Sequence, residues 1–126
     1  MGGSEDLSVE MSTFTARVED GGGPLRVVLA GQADIGALAH LDELLQHVHR
    51  RALELRAGEV FVDMTALEFM NSSCLAKMIT WLNRVRDCEV ATQYRIRLVA
   101  STDRLWQRRS LHALRCFAVD LVTIES

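Results

Sequence analysis

The sequence has few of the features that mark several classes of protein. It holds one proline, one lysine and three cysteines, and only 6% of its residues are aromatic. No apolar run approaches the roughly 18 residues of a membrane-spanning helix, which argues against membrane insertion. The cysteines are Cys74, Cys88 and Cys116, odd in number and without C-x-x-C spacing. Neither a disulfide framework nor a cysteine metal site is therefore indicated, and a reduced, cytoplasmic protein is predicted.

The charge balance is slightly acidic. The net charge is −3, with 25% of residues charged, whereas a nucleic-acid-binding domain would usually be strongly basic. The first residues lack the basic end and the apolar stretch of a secretory signal. We expect residues 1–10 to form a flexible tail and residues 11–126 to form a single domain, which is long enough to bury its own core.

One central segment organises the prediction, residues 60–75, which read VFVDMTALEFMNSSCL. Val60–Met64 is a short apolar run typical of a buried strand. A helix is predicted from Ser72 to about Asp87, because apolar residues recur there at helical spacing. These residues are Leu75, Met78, Ile79, Leu82 and Val85. Asn71, Ser72 and Ser73 lie between the two elements and are residue types that cap helices.

The remaining pattern predicts an α/β fold. Strands are expected at Thr13–Val18, Leu25–Ala30, Tyr94–Ala100 and Val119–Ile124, and helices at 34–57 and Thr102–Leu111. A glycine-rich turn over residues 20–24 joins the first two strands into a hairpin. The predicted order is β-β-α-β-α-β-α-β, an α/β sandwich with a mixed sheet of about five strands and three to four helices.

Two loops are predicted at the carboxyl ends of neighbouring strands, at residues 31–34 and 65–72. Such loops are the usual location of sites in α/β folds, so we expect these two to lie side by side. Asp34 has two compatible interpretations there. One is the cap of the first long helix, and the other is a part of the site.

Two motifs resemble those of STAS domains, a family typified by anti-sigma factor antagonists. Gly31-Gln32-Ala33-Asp34 is similar to the family's Gly-x-x-Asp turn, and residues 62–75 are similar to its strand, loop and serine-bearing helix start. The resemblance extends from about Thr13 to residue 126. It implies the family's mixed α/β sandwich.

The resemblance also implies a mechanism. Ser72 would be phosphorylated by a partner that is both a serine kinase and an anti-sigma factor, with a phosphatase as a further partner and Asp34 near the phosphoacceptor. Asn71 replaces the family's acid before the serine, and Cys74 replaces its glycine. The implied protein is a cytoplasmic, partner-switching regulator of transcription.

Each site residue has a structural alternative. Ser72 is either a phosphoacceptor or a helix cap, and Ser73 is either the acceptor instead or a first-turn hydrogen-bonding residue. Cys74 lies at a helix N-terminus, where a thiolate is favoured. Trp81 falls at the flank of the buried helical stripe, where a half-exposed ring would anchor a partner. The predicted partner-binding residues are Asp34, Met70, Asn71, Ser73, Cys74 and Trp81.

No catalytic constellation is evident in the sequence. There is no nucleophile–base pair at readable spacing and no glycine loop for phosphates, so we predict neither an enzyme nor a cofactor. His40, His47, His49 and His112 lack metal spacing and are predicted to be solvated. Asp63 invites comparison with a receiver domain, but the acid pair and the lysine of that fold are missing, so a structural or loop-bonding role is preferred.

Two further functions remain open. The first is a non-switching STAS subunit of a larger assembly, such as a stress-signalling or lipid-transport complex. The second is a nucleotide-binding domain.

Overall fold

The computed structural model of the protein describes residues 7–21, 23–101 and 103–126. Six strands form one sheet with the strands in chain order. They are β1 (Leu7–Glu10), β2 (Phe14–Glu19), β3 (Leu25–Ala33), β4 (Glu59–Met70), β5 (Arg95–Val99) and β6 (Val122–Glu125). The helices are α1 (Leu38–Leu55), α2 (Ser72–Asp87) and α3 (Leu105–Phe117), and 3-10 turns span Ile35–Ala37 and Val90–Thr92.

The sheet is mixed and is covered by helices on one face. Strands β1 to β3 pair antiparallel, and β3 to β6 pair parallel through helical connections. Along β2, Phe14, Ala16 and Val18 are buried, whereas Thr15 and Arg17 are exposed. This alternation follows from the two-residue period of a strand, and the buried side chains join those of all three helices in one core.

The predicted α/β class and mixed sheet are confirmed, but the sheet has six strands instead of about five. The additional strand, β1, lies in the segment that we assigned to a flexible tail. Its residues 7–10 pair with residues 15–18 of β2, so they are part of the sheet. Residues 1–6 of that predicted tail lie outside the described residues, as does Gly22 in the predicted turn.

Strand β4 is longer than expected, because the predicted loop 65–72 is extended and paired as far as Met70. Two register shifts in β3 accompany it, between Val28 and Ala30 and between Gly31 and Gln32. Gly31 has a φ of +87°, and a Cβ there would lie 2.2 Å from the Thr13 carbonyl oxygen. Only glycine fits this bulge, which accounts for the first residue of the Gly-x-x-Asp motif.

Helix α3 begins later and ends later than predicted. It spans Leu105–Phe117, and its N-cap residue Arg104 makes no side-chain capping bond. Thr102, where we expected the helix to begin, lies outside the described residues. The Gln107 side chain accepts the Ser101 N–H at 2.8 Å, so that donor is satisfied from within the first turn of the helix.

Candidate functional site

Asn71 fastens the start of α2 to the end of β3. Its backbone N–H donates to the Ala33 carbonyl at 2.9 Å, and its side-chain oxygen accepts the Cys74 N–H at 2.8 Å. Asn71 has extended backbone angles and is the N-cap residue of α2. The prediction that asparagine caps this helix is confirmed, and it removes the need for Ser72 to do so.

Ser72 and Ser73 are the first two residues of α2, and both are exposed. No described residue forms a hydrogen bond with either hydroxyl. The first turn of α2 contains no acidic residue, and its last turn contains Arg84 and Arg86. The positive end of the helix dipole and the first-turn N–H groups without an intrahelical partner therefore face any group that is attached to a serine hydroxyl.

Asp34 lies against the same helix start, as predicted. Its carboxylate accepts the Gly36 N–H at 3.0 Å and so caps the 3-10 turn before α1. Its backbone carbonyl accepts a hydrogen bond from the Cys74 thiol at 3.4 Å. The structure therefore brings both motifs together at the carboxyl ends of β3 and β4. Asp34 was predicted to cap the long helix, but it caps the short turn before it, and the N-cap residue of α1 is Ala37, which makes no side-chain capping bond.

Cys74 and Met70 require correction as partner-binding residues. Cys74 is fully buried and Met70 is 8% exposed, so both belong to the core. Burial raises the pKa of the Cys74 thiol, and the negative charge of Asp34 raises it further. The thiolate that we expected at a helix N-terminus is therefore disfavoured, because burial and the neighbouring Asp34 charge both favour the neutral thiol.

Trp81 is also not an exposed anchor. It is 1% exposed, and its indole N–H donates to the Tyr94 hydroxyl at 2.8 Å. The same hydroxyl contacts Nδ1 of His49 at 2.7 Å, so His49 is not the solvated residue that we predicted. Burial lowers the pKa of His49, the Arg84 charge lowers it further, and burial raises the pKa of Tyr94. This neutral network joins α1, α2 and the start of β5.

Two exposed apolar side chains flank the serines, and sequence reasoning missed both. Ile35 follows Asp34 and is 69% exposed, and Phe69 lies two residues before Asn71 and is 46% exposed. Phe69 is opposite Gln32 in the β3–β4 pairing. Single exposed apolar side chains are common, and these two are candidates for a partner contact because of their place in the two motifs beside the serines. Burial along β4 stops alternating after Met64, so the two-residue period of a strand gave no signal for the exposure of Phe69.

Gln107 is a second residue that sequence reasoning missed. Its side chain is fully buried and donates to the carbonyls of Met64 (2.6 Å) and Leu67 (2.9 Å) in β4. These carbonyls lie where the pairing of β4 with β3 becomes irregular. The amide of α3 therefore holds the part of β4 that leads to the serines.

The carboxylate of Asp63 is engaged in contacts that stabilise the local structure. Its carboxylate accepts bonds from the Thr65 N–H (3.0 Å) and hydroxyl (2.7 Å) and contacts Arg26 at 3.2 Å. Burial alone would raise the pKa of Asp63, but the Thr65 and Arg26 contacts outweigh burial and lower it. These bonds agree with the loop-bonding role that we preferred over a receiver-type phosphoacceptor.

Comparison with known proteins gives the fold. No protein-family model matches the sequence, and no curated protein matches it. Among solved structures, the chain is similar to the crystal structure of an anti-sigma factor antagonist from Mycobacterium paratuberculosis. The TM-score is 0.64 at 19% sequence identity, over 94% of this chain and 90% of that one. No helix in the described residues is long and apolar enough to cross a membrane. The chain has the STAS-like α/β fold of that anti-sigma factor antagonist.

Proposed function

We propose that this protein is a cytoplasmic regulator of the anti-sigma factor antagonist kind, which binds a protein partner through the start of α2. The observation that supports this most is the division of roles at that helix start. Asn71 makes the capping bond, while the exposed Ser72 hydroxyl is bonded to no described residue. An exposed hydroxyl that makes no hydrogen bond with the described residues is accessible to a kinase.

Phosphorylation of Ser72 would suit the fold and oppose the partner. A phosphate adds about −1.5 to −2 charges at pH 7, and the positive end of α2 favours an anion there. No acid in the first turn opposes it, although the carboxylate of Asp34 is close to the helix start. The domain would tolerate the modification, while a partner packed on Ile35, Phe69 and the serines would meet a bulky new charge.

The proposed partner is a serine kinase that is also an anti-sigma factor, and a phosphatase would reverse the modification. In this scheme the protein is a substrate and not an enzyme. Ser73 is the alternative acceptor, because its hydroxyl is also exposed. Ser72 is preferred because the serine-bearing motif places the acceptor at the first of the two positions.

Mapping of the phosphate tests this proposal. Wild-type protein, Ser72→Ala and Ser73→Ala are each incubated with ATP and lysate of the native organism, and modified residues are identified by mass spectrometry. We expect phosphate on Ser72 in the wild type and in Ser73→Ala, and none in Ser72→Ala. Phosphate on Ser73 alone, or on neither serine, would overturn the assignment.

A second function is favoured by one observation. Asn71 supplies an amide where the family pattern has an acid, so no carboxylate at that position polarises the Ser72 hydroxyl. This arrangement suits a non-switching subunit of a larger assembly, such as a stress-signalling or lipid-transport complex. In that case the same face binds a partner, and charge at Ser72 leaves the binding unchanged.

A further inference from the structure

Helix α3 concentrates positive charge that the Ser72 site does not use. Four arginines lie between residues 104 and 119, a stretch without aspartate or glutamate. The rest of the chain has ten basic and 17 acidic residues and so carries a charge of −7. One helix of an otherwise acidic protein is therefore basic.

In the part of the chain that the structure describes, the arginines of α3 pair with no carboxylate, whereas Arg17, Arg26 and Arg97 on the helix-free face of the sheet do. Arg17, Arg26 and Arg97 each contact a carboxylate at 2.8 to 3.2 Å. Among the described residues, no carboxylate lies within ion-pair distance of any of the four arginines between residues 104 and 119. Among the described residues, intramolecular pairing thus accounts for three of the four strand arginines, all but the exposed Arg95, and for none of those on α3.

Helix stability does not account for these arginines either. Arg104 occupies the N-cap position of α3 and Arg108 lies in its first turn, which has no acidic residue. Cations at a helix N-terminus are unfavourable, because they lie at the positive end of the helix dipole. Arg115 lies in the last turn and is the one member that the dipole favours. The positive charges at the start of α3 therefore do not stabilise the helix.

A groove runs between α3 and the edge strand β6, beside these arginines. Its volume is about 510 Å³, and Arg108, His112 and Arg115 line it together with the apolar Leu111 and Ile124. The sheet ends at β6, so the groove is open on that side. Seven residues separate Arg108 from Arg115, about 10 Å along the helix axis.

We propose that this groove binds an acidic, amphipathic segment of a partner protein. Such a segment would place apolar side chains against Leu111 and Ile124, and carboxylates against Arg108 and Arg115. Arginine is suited to this role because its planar guanidinium pairs bidentately with carboxylates. A small anion fits less well, because both arginines are exposed and the one buried amide, Gln107, is already bonded to Ser101, Met64 and Leu67.

The groove is separate from the serine face. Ser72 follows β4, whereas the groove is lined by α3, by β6 and by the residues that follow β5, and none of Ile35, Phe69, Ser72 and Ser73 lines it. The inference goes beyond the proposed function and does not depend on phosphorylation. Ser72→Asp should bind the acidic segment as the wild type does, so failure of either proposal can be recognised separately.

Fluorescence anisotropy with a labelled synthetic peptide tests the groove. The peptide has about 14 residues, or four helical turns, with leucine on one face and glutamate on its flanks. A control peptide carries lysine in place of glutamate. The proteins are wild type, Arg108→Glu/Arg115→Glu, and the matched control Arg95→Glu/Arg109→Glu, whose residues are exposed and do not line the groove. Circular dichroism verifies that all three are folded.

We expect the wild type to bind the glutamate peptide and not the lysine peptide, with affinity that falls as salt is added. Arg108→Glu/Arg115→Glu should weaken binding by about tenfold or more, since two ion pairs become repulsive, and the control should retain it. Absence of binding to the wild type, or equal loss in both double variants, would overturn the proposal. Binding of inorganic phosphate in the groove without binding of the peptide would also overturn it.

Discussion

Single residues at the start of α2 differ in whether the fold uses them. Asn71 makes one hydrogen bond to β3 and one to the first turn of α2, so it is fixed by the structure. The Ser72 hydroxyl is exposed and bonded to no described residue, and the side chain of Ile35 is 69% exposed. Substitution of a residue that the fold holds by hydrogen bonds lowers the stability of the protein, whereas substitution of an exposed residue usually leaves stability unchanged and can be tested for its effect on binding. This separation makes the proposed interface testable by substitution.

Ile35→Ala should weaken partner binding without destabilising the protein. The side chain is mostly in water, so the free energy of unfolding should change by less than about 0.5 kcal/mol. Capture of the partner should fall by about tenfold, if Ile35 fills a pocket in it as apolar anchors do. The comparison is the amount of partner retained on immobilised wild-type and variant protein.

Val90→Ala is the matched control for this prediction. Val90 also lies in a 3-10 turn and is 85% exposed, but it belongs to the connection between α2 and β5. It should retain the partner as the wild type does. Equal capture by Ile35→Ala and Val90→Ala would remove Ile35 from the interface.

Predictions for individual residues succeeded where neighbours in the sequence determine the role of the side chain. They failed where packing against distant elements determines its burial. The cap at Asn71 and the position of Asp34 follow from motifs of a few residues. Trp81 was placed at the flank of the helical stripe, but its burial depends on Tyr94, which is 13 residues away in sequence. Helical periodicity alone does not show which distant element covers a flank position.

At the scale of elements, the second half of β4 is the feature that positions the site. This half pairs with β3 through two register shifts, and the buried Gln107 of α3 supports it. The sequence predicted a loop here, because bulged pairing depends on the register between two distant strands. A glutamine in an arginine-rich helix offers no local sign of such a role.

Gln107→Leu should destabilise the protein strongly. The substitution leaves the carbonyls of Met64 and Leu67 and the N–H of Ser101 without their partner, and each unsatisfied buried group costs about 1–3 kcal/mol. The expected loss in the free energy of unfolding is at least about 3 kcal/mol, measured by urea denaturation.

Gln46→Leu provides the matched control, because Gln46 is exposed on α1 and bonds only to Asp42, at 3.2 Å. Its cost should be within about 0.5 kcal/mol. A loss of less than about 1 kcal/mol for Gln107→Leu would show that water replaces the amide, contrary to the role described for it.

For the whole molecule, the architecture was largely predictable and its edges were not. Apolar periods of two and 3.6 residues located the helices and the inner strands. Strand β1 was missed because Leu7–Glu10 has only four residues, too few for its alternation of apolar and polar side chains to stand out, and its pairing with β2 identifies it. The same limit applies to the surfaces, since the groove beside α3 forms only when β6 is in place.

The three-dimensional arrangement gives the protein two candidate contact surfaces with different chemistry. The serine face combines exposed hydroxyls with Ile35 and Phe69, and the groove combines unpaired arginines with an apolar floor. The first is suited to a contact that added negative charge disrupts, and the second to a contact that requires an acidic partner. Phosphorylation of Ser72 is therefore expected to disrupt the first contact and to leave the second unchanged, whereas added salt is expected to weaken the second.

The central claim is that negative charge at Ser72 releases the partner. Immobilised wild type, Ser72→Asp and Ser8→Asp are exposed in parallel to lysate of the native organism; Ser8 is exposed on β1, and its substitution changes the net charge equally. We expect wild type and Ser8→Asp to retain the same kinase-like protein, and Ser72→Asp to retain less by about tenfold or more. Equal retention by all three would contradict the switch and leave the protein as a constitutive subunit.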